Sequence, residues 1–135
     1  MENSSTRAKP RGKPILCLDF DGCIHSYRSG WQGVSICDDP PVPGVFEWME
    51  AALKEFDIYV YSSRSCEPSG RMAMFNYVGN HGSLTLATAL RFVSEKPSAF
   101  ITIDDRCLRF DGDWSDPNLS PEVLLRFTPW YKYQK

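Results

Sequence analysis

The sequence predicts an α/β fold with a mainly parallel sheet covered by helices. Three short apolar runs, PILCLDF (14–20), DIYVYSS (57–63) and SAFITIDD (98–105), have the length and side-chain character of buried strands. Segments with helical patterning separate them, and such alternation builds βαβ units. Each run also ends on polar residues, at Asp19, Ser62 and Asp104. In parallel sheets, ligands bind outside the carboxyl ends of the strands.

The elements follow in order. Residues 25–44, HSYRSGWQGVSICDDPPVPG, place Gly30 and Gly33 around Trp31 and then cluster prolines, which reads as a hairpin-like flap and a loop. Residues 45–56 set Val45, Trp48, Met49, Ala52, Leu53 and Phe56 on one side of an amphipathic helix. A second helix is expected over 67–82, ending near Gly79 or Gly82. Residues 83–95 fit either a loop with a short helix or a strand. The remainder, from Arg106, is turn-rich with a late apolar segment, VLLRF (123–127).

With 135 residues, 42% hydrophobic and 24% charged, the chain suits one globular domain over 14–135. Its net charge of -2 argues against general polyanion binding. Residues 1–13, with Arg7, Lys9, Arg11 and Lys13 among small polar residues, read as a disordered basic tail, or as an arm for an anionic partner. No apolar run is long enough to span a membrane, and no signal-peptide core is present. Five scattered cysteines without CxxC spacing argue against a zinc site or a disulfide framework and point to the cytoplasm.

The strand ends carry the chemistry. In LDFDG, Asp19 sits at a strand end, Asp21 follows two positions on, and Gly22 permits a turn that other residues resist. Asp19 and Asp104 are hard oxygen donors that suit Mg²⁺ together with waters and a phosphate oxygen. Ser62 can donate a hydrogen bond to a phosphoryl oxygen, and Lys96 can supply positive charge.

Asp19-Phe20-Asp21-Gly22, Ser62 after an apolar strand, Lys96, and Asp104-Asp105 after another strand resemble the four motifs of the haloacid dehalogenase (HAD) superfamily, in order, over roughly residues 14–113. The resemblance implies a Rossmannoid three-layer fold and a Mg²⁺-dependent phosphatase. It makes Asp19 the nucleophile that forms an aspartyl-phosphate, and Asp21 the general acid and base. Ser62 and Lys96 complete the catalytic set. Gly22, Ser62, Ser63, Arg64 and Lys96 are the substrate-binding candidates. Asp19, Asp21 (through its backbone carbonyl), Asp104 and Asp105 are the metal candidates, with Asp104 the direct ligand and Asp105 in its surroundings or orienting the lysine. An acid at Asp21 favours phosphatase over dehalogenase. Cys23 departs from the family pattern, which most often has threonine there. The short segments between motifs leave room for the flap but for no cap domain. The implied partners are therefore a phosphorylated small molecule or nucleic-acid end, and a second copy of the chain completing the lid. The size and the IDDR…FDGDW region also resemble small phage- and prophage-type members.

Other readings stand beside these. Asp19 and Asp21 fit a loop-capping pair, Ser62 and Ser63 fit a serine turn, and Lys96-Pro97 fits a plain loop. Arg64 suits a surface ion pair as well as a substrate phosphate. His25 and His81 are lone histidines without spaced partners, and His25, near the site, fits a surface role or a substrate contact. Asp111 and Asp113 fit a turn around Gly112 better than a second metal set. The aromatic end FTPWYKY (127–133) fits either packing on its own core or, with Lys132, nucleic-acid stacking. At the level of function, a phosphate-holding receiver-like domain or a non-catalytic binding module is the alternative to an enzyme. The lysine preceding the adjacent acids disfavours the receiver order.

Overall fold

A computed structural model describes residues 12–133. Four parallel strands form one sheet: β1 (Ile15–Leu18), β2 (Asp57–Val60), β3 (Arg91–Phe92) and β4 (Ile101–Ile103), in the order β3-β2-β1-β4. β1 is central, pairing Leu16 with Ile58 and Leu18 with Val60 on one side, and Leu16 with Ile101 and Leu18 with Ile103 on the other. The all-parallel sheet agrees with the sequence expectation.

The helices are α1 (Val45–Ala52), α2 (Pro68–His81), α3 (Leu84–Ala89) and a short α4 (Pro121–Leu124). Pro68 opens α2, where a missing N–H costs nothing. Gly82 closes it, donating its N–H to the Val78 carbonyl at 2.8 Å. The ambiguous segment 83–95 resolves into both structures: Ser83 caps α3 by accepting the Leu86 N–H at 3.0 Å, and β3 follows. The helix expected to reach residue 56 ends at Ala52, with looser turns carrying the chain to Phe56.

Leu16 and Leu18 share a sheet face with Ile58 and Val60, because alternate strand residues point the same way. Val45 and Met49 of α1, Met74, Tyr77 and Val78 of α2, and Leu86 and Ala87 of α3 join them in one core cluster. The three main helices feed one core, and α4 has no buried residue. The physical reason lies in the connections. Strands 1, 2 and 3 advance in one direction, so their right-handed crossovers put α1, α2 and α3 on one face.

The flap over 25–44 is a loop closed by an antiparallel bridge between His25 and Pro41. Its base is tied by Ser26 N–H to the Pro40 carbonyl at 3.0 Å and by Val42 N–H to the Ile24 carbonyl at 2.8 Å, but only single bridges form. Pro40, Pro41 and Pro43 offer no N–H for a ladder, and Gly30 and Gly33 take positive φ. The basic tail lies mostly outside the described residues. Lys13 is inside them, and its Nζ donates to the Leu53 carbonyl at 2.6 Å. Among the described residues, no helix is long and apolar enough to cross a membrane.

Ile58 is 1% exposed in the core cluster and does not line the Asp19 cleft. Ile58→Ala is expected to destabilise the fold by about 2–5 kcal/mol through lost burial and a residual cavity. Urea unfolding measures it, and a loss below 1 kcal/mol (about a fivefold change in the folding constant) contradicts this packing.

Candidate functional site

The first strand leads directly into the site. The Asp19 N–H donates to the Ile103 carbonyl at 3.0 Å, so its backbone is fixed between β1 and β4. The chain then makes one tight turn. The Cys23, Ile24 and His25 N–H groups all point to the Phe20 carbonyl, and Gly22 N–H returns to the His25 carbonyl at 2.8 Å. Phe20 and Ile24, both fully buried, anchor this turn in the core. Gly22 is required twice over. Its φ is 87°, and a Cβ there would sit 2.5 Å from the Asp105 carboxylate.

Asp19, Ser62, Ser63, Lys96 and Asp104 line one small cleft with Cys17, Tyr61 and Thr102. Its volume is about 150 Å³. Sites that enclose a whole drug-sized ligand run to ~300–1,000 Å³, so this cleft fits a compact polar group and leaves the rest of a substrate outside. Five sequence-selected residues thus meet at the carboxyl end of the sheet. Gly22, Asp21, Arg64 and Asp105 do not line this cleft.

The acids are coupled. Asp19 and Asp105 bring their carboxyl groups together. Burial, the contact with Asp105 and the neighbouring Asp104 charge push the Asp19 carboxyl up to about 9. Asp105 is raised by burial and by its contact with Asp104, while the contact with Asp19 acts in the opposite direction. Cys23 completes the group: its Sγ and one oxygen from each of Asp19 and Asp105 lie within 4.8 Å of one another. Burial first, then the charges of Asp19, Asp105 and Asp104, push its thiol up.

This donor set fits a hard divalent cation. One or two carboxylates are what Mg²⁺ usually takes from a protein. The thiol is a poor Mg²⁺ donor. The acid facing Asp19 in this group is Asp105. Asp104, expected as the direct ligand, faces the cleft and accepts the Arg106 N–H at 2.9 Å.

Ser62 makes the serine turn that the sequence left open. Its Oγ accepts the Arg64 N–H at 3.0 Å in a serine turn, and its hydroxyl donates to the Met74 sulfur at 3.4 Å. Sulfur is a weak acceptor, so this hydrogen can be redirected to a phosphoryl oxygen at little cost. Gly70, at the start of α2, lets the helix approach this turn; a Cβ there would run into the Arg64 carbonyl.

Asp21 and Arg64 occupy a second, buried centre. Arg64 is 0% exposed, which rules out a surface ion pair. Its Nε and Nη2 donate to Asp21 at 3.0–3.2 Å, and its Nη1 donates to the Gly33 and Val34 carbonyls, each at 2.9 Å. The Trp31 and Phe20 rings lie 4.9 and 5.8 Å from the guanidinium carbon. His25 is 1% exposed rather than at the surface. Its Nε2 accepts the Asp39 N–H at 3.0 Å, so the hydrogen sits on Nδ1 and points to Asp21 Oδ1, also at 3.0 Å. The clue to His25 was its spacing four residues after Asp21, across the Gly22 turn.

The aromatic end packs on its own chain. The Trp130 indole N–H donates to the Gly22 carbonyl at 2.6 Å, and Tyr131, buried, lies edge-on to Tyr27. Asp113 accepts the Ser115 N–H and hydroxyl beside Gly112 at φ 92°, which is the expected turn. Comparison with known proteins finds no match to a protein-family model, to a curated protein or to a solved structure.

The raised Asp19 carboxyl gives a signed prediction. An acid that holds its proton more tightly in the folded state stabilises below its unfolded value of 3.8 and loses that contribution as pH rises towards about 9. In chelator, thermal unfolding of the wild type is expected to fall across that window, and Asp19→Asn to flatten the decline. Mg²⁺ is expected to raise the wild-type midpoint at pH 8 and to leave Asp19→Asn nearly unmoved. A flat wild-type profile contradicts the coupled acid group.

Proposed function

We propose that this chain is a Mg²⁺-dependent phosphatase of the haloacid dehalogenase kind, hydrolysing a phosphomonoester through a phosphoryl group carried on Asp19. The observation that carries this reading is the single small cleft where Asp19, Ser62, Lys96 and Asp104 meet at the carboxyl end of a parallel sheet. The family likeness in the sequence adds to it.

The chemistry follows from the residues. The phosphoryl group enters the cleft, with its oxygens towards the Lys96 ammonium and the Ser62 hydroxyl. An Asp19 carboxylate oxygen attacks phosphorus, and the bond to the leaving oxygen breaks. Protonated Asp21 gives its proton to that oxygen. Water then attacks the same phosphorus, losing a proton to Asp21, and the Asp19–phosphorus bond breaks to release phosphate. Asp19 and Asp105, beside Asp104, would hold Mg²⁺, which would supply positive charge against the acids and the anionic substrate. The cleft volume suits substrates that present a terminal phosphate: a nucleotide, a sugar phosphate or a nucleic-acid end.

One observation favours a second reading. The Asp21 carboxylate is already engaged by Arg64 and His25. Without a base to activate water, a phosphoryl group on Asp19 persists, and the protein holds phosphate rather than turning it over.

Phosphate release from nucleotides, sugar phosphates and 3′- or 5′-phosphorylated oligonucleotides separates the two. Mg²⁺-dependent turnover is expected, lost by roughly 10⁴-fold or more in Asp19→Asn, the scale of removing a nucleophile. Turnover retained in that variant overturns the assignment of Asp19. A stoichiometric burst without turnover supports the phosphate-holding reading.

A further inference from the structure

We infer that Arg64 is a positioning residue that couples the placement of Asp21 to the loop over residues 27–36, so that release of the acid and opening of the loop tip are one event. The inference rests on the proposed acid–base role of Asp21.

A guanidinium has five N–H donors in a fixed fork. Here the fork is divided between two clients. Nε and Nη2 hold the Asp21 carboxylate, while Nη1 holds the carbonyls of Gly33 and Val34. Trp31, from the same loop, covers the guanidinium. The base of the loop is fixed independently. Ser29 binds the Asp39 carboxylate through its N–H and hydroxyl, both at 2.7 Å, and the Tyr77 hydroxyl donates to the Asp39 carbonyl at 2.7 Å. The tip between Gly30 and Ile36 is joined to the motif turn through Arg64.

Two consequences follow from this division. Asp21 does not line the cleft with Asp19, so acid–base work on a group bound there requires it to leave the fork. Once it leaves, Arg64 is a buried cation without its counter-charge, which is strongly unfavourable, and the guanidinium must follow water or a new anion. Its motion takes the acceptors at Gly33 and Val34 with it. Displacement of the tip has the converse effect: it strips Arg64 of two hydrogen bonds and its aromatic cover, and loosens Asp21. His25 supports the other side of the carboxylate and leaves Arg64 as the one link between Asp21 and the tip among the described residues.

Hydrogen–deuterium exchange of the full chain tests this. In Asp21→Asn, which removes a charge that touches nothing in the tip, amides over 28–36 are expected to exchange about tenfold faster, a size typical of coupling between linked sites. Arg64→Lys keeps the charge but loses the fork, and is expected to give the same local change with sheet amides unaltered. If both variants unfold, the wild type alone decides. Beryllium fluoride with Mg²⁺, a phosphoryl analogue, is expected to protect amides around Asp19 and to speed exchange over 28–36. Protection at Asp19 with an unchanged tip overturns the coupling and leaves the phosphatase reading standing. No effect of the analogue at Asp19 overturns the phosphatase reading, and the two variants then decide the coupling alone. An unchanged tip in a folded Asp21→Asn overturns it.

Discussion

The Asp21–Arg64 pair is the interaction on which the rest of the site depends. A buried pair of this kind contributes little net stability compared with a well-packed apolar substitute, but removing one partner costs about 3–5 kcal/mol because a charge is left stranded. The pair therefore acts less as glue than as a condition of correct assembly. Arg64 stands in the turn after β2, Asp21 in the turn after β1, and the accepting carbonyls at Gly33 and Val34 in the long loop. Only when all three segments are in place are the charges and the hydrogen-bonding groups satisfied. Lysine could not replace this fork, because a point charge cannot address a carboxylate and two carbonyls in one plane.

The charge layout has a clear division. Asp19, Asp104 and Asp105 concentrate negative charge at the end of the central and outer strands, with Lys96 facing them across the cleft. Arg64 is spent on Asp21. Burial and mutual repulsion hold the Asp19 and Asp105 carboxyls above the usual carboxylate range. Crowded acids of this kind are what a divalent cation would relieve.

Much of this was legible in the sequence, and the remainder was hidden for identifiable reasons. Strand runs ending in Asp19, Ser62 and Asp104 forecast both the parallel sheet and the residues that share the cleft, since a parallel sheet brings strand ends to one edge. Which of the adjacent pair Asp104 and Asp105 faces Asp19 depends on the pleat, and a one-residue change in where β4 ends reverses the answer. The burial of Arg64 could not be read from local pattern, because its partners Asp21, Gly33 and Val34 are brought close by folding. The single helical layer follows from strand order, which three separate apolar runs do not specify.

The hydrogen bond from Trp130 to the Gly22 carbonyl spans 108 positions of the chain. Its consequence concerns the order of manufacture. A ribosome delivers the motif turn early, along with the first strand, but the residue that caps it arrives only after every other part of the sheet has emerged. Until then the Gly22 carbonyl has only water as its partner, and Tyr27 lacks the Tyr131 ring against which it later packs. The nascent protein therefore gains its sheet first and its finished acidic centre last, so a ribosome-bound chain stalled before residue 130 carries Asp19 and Asp21 without the contact that closes their turn.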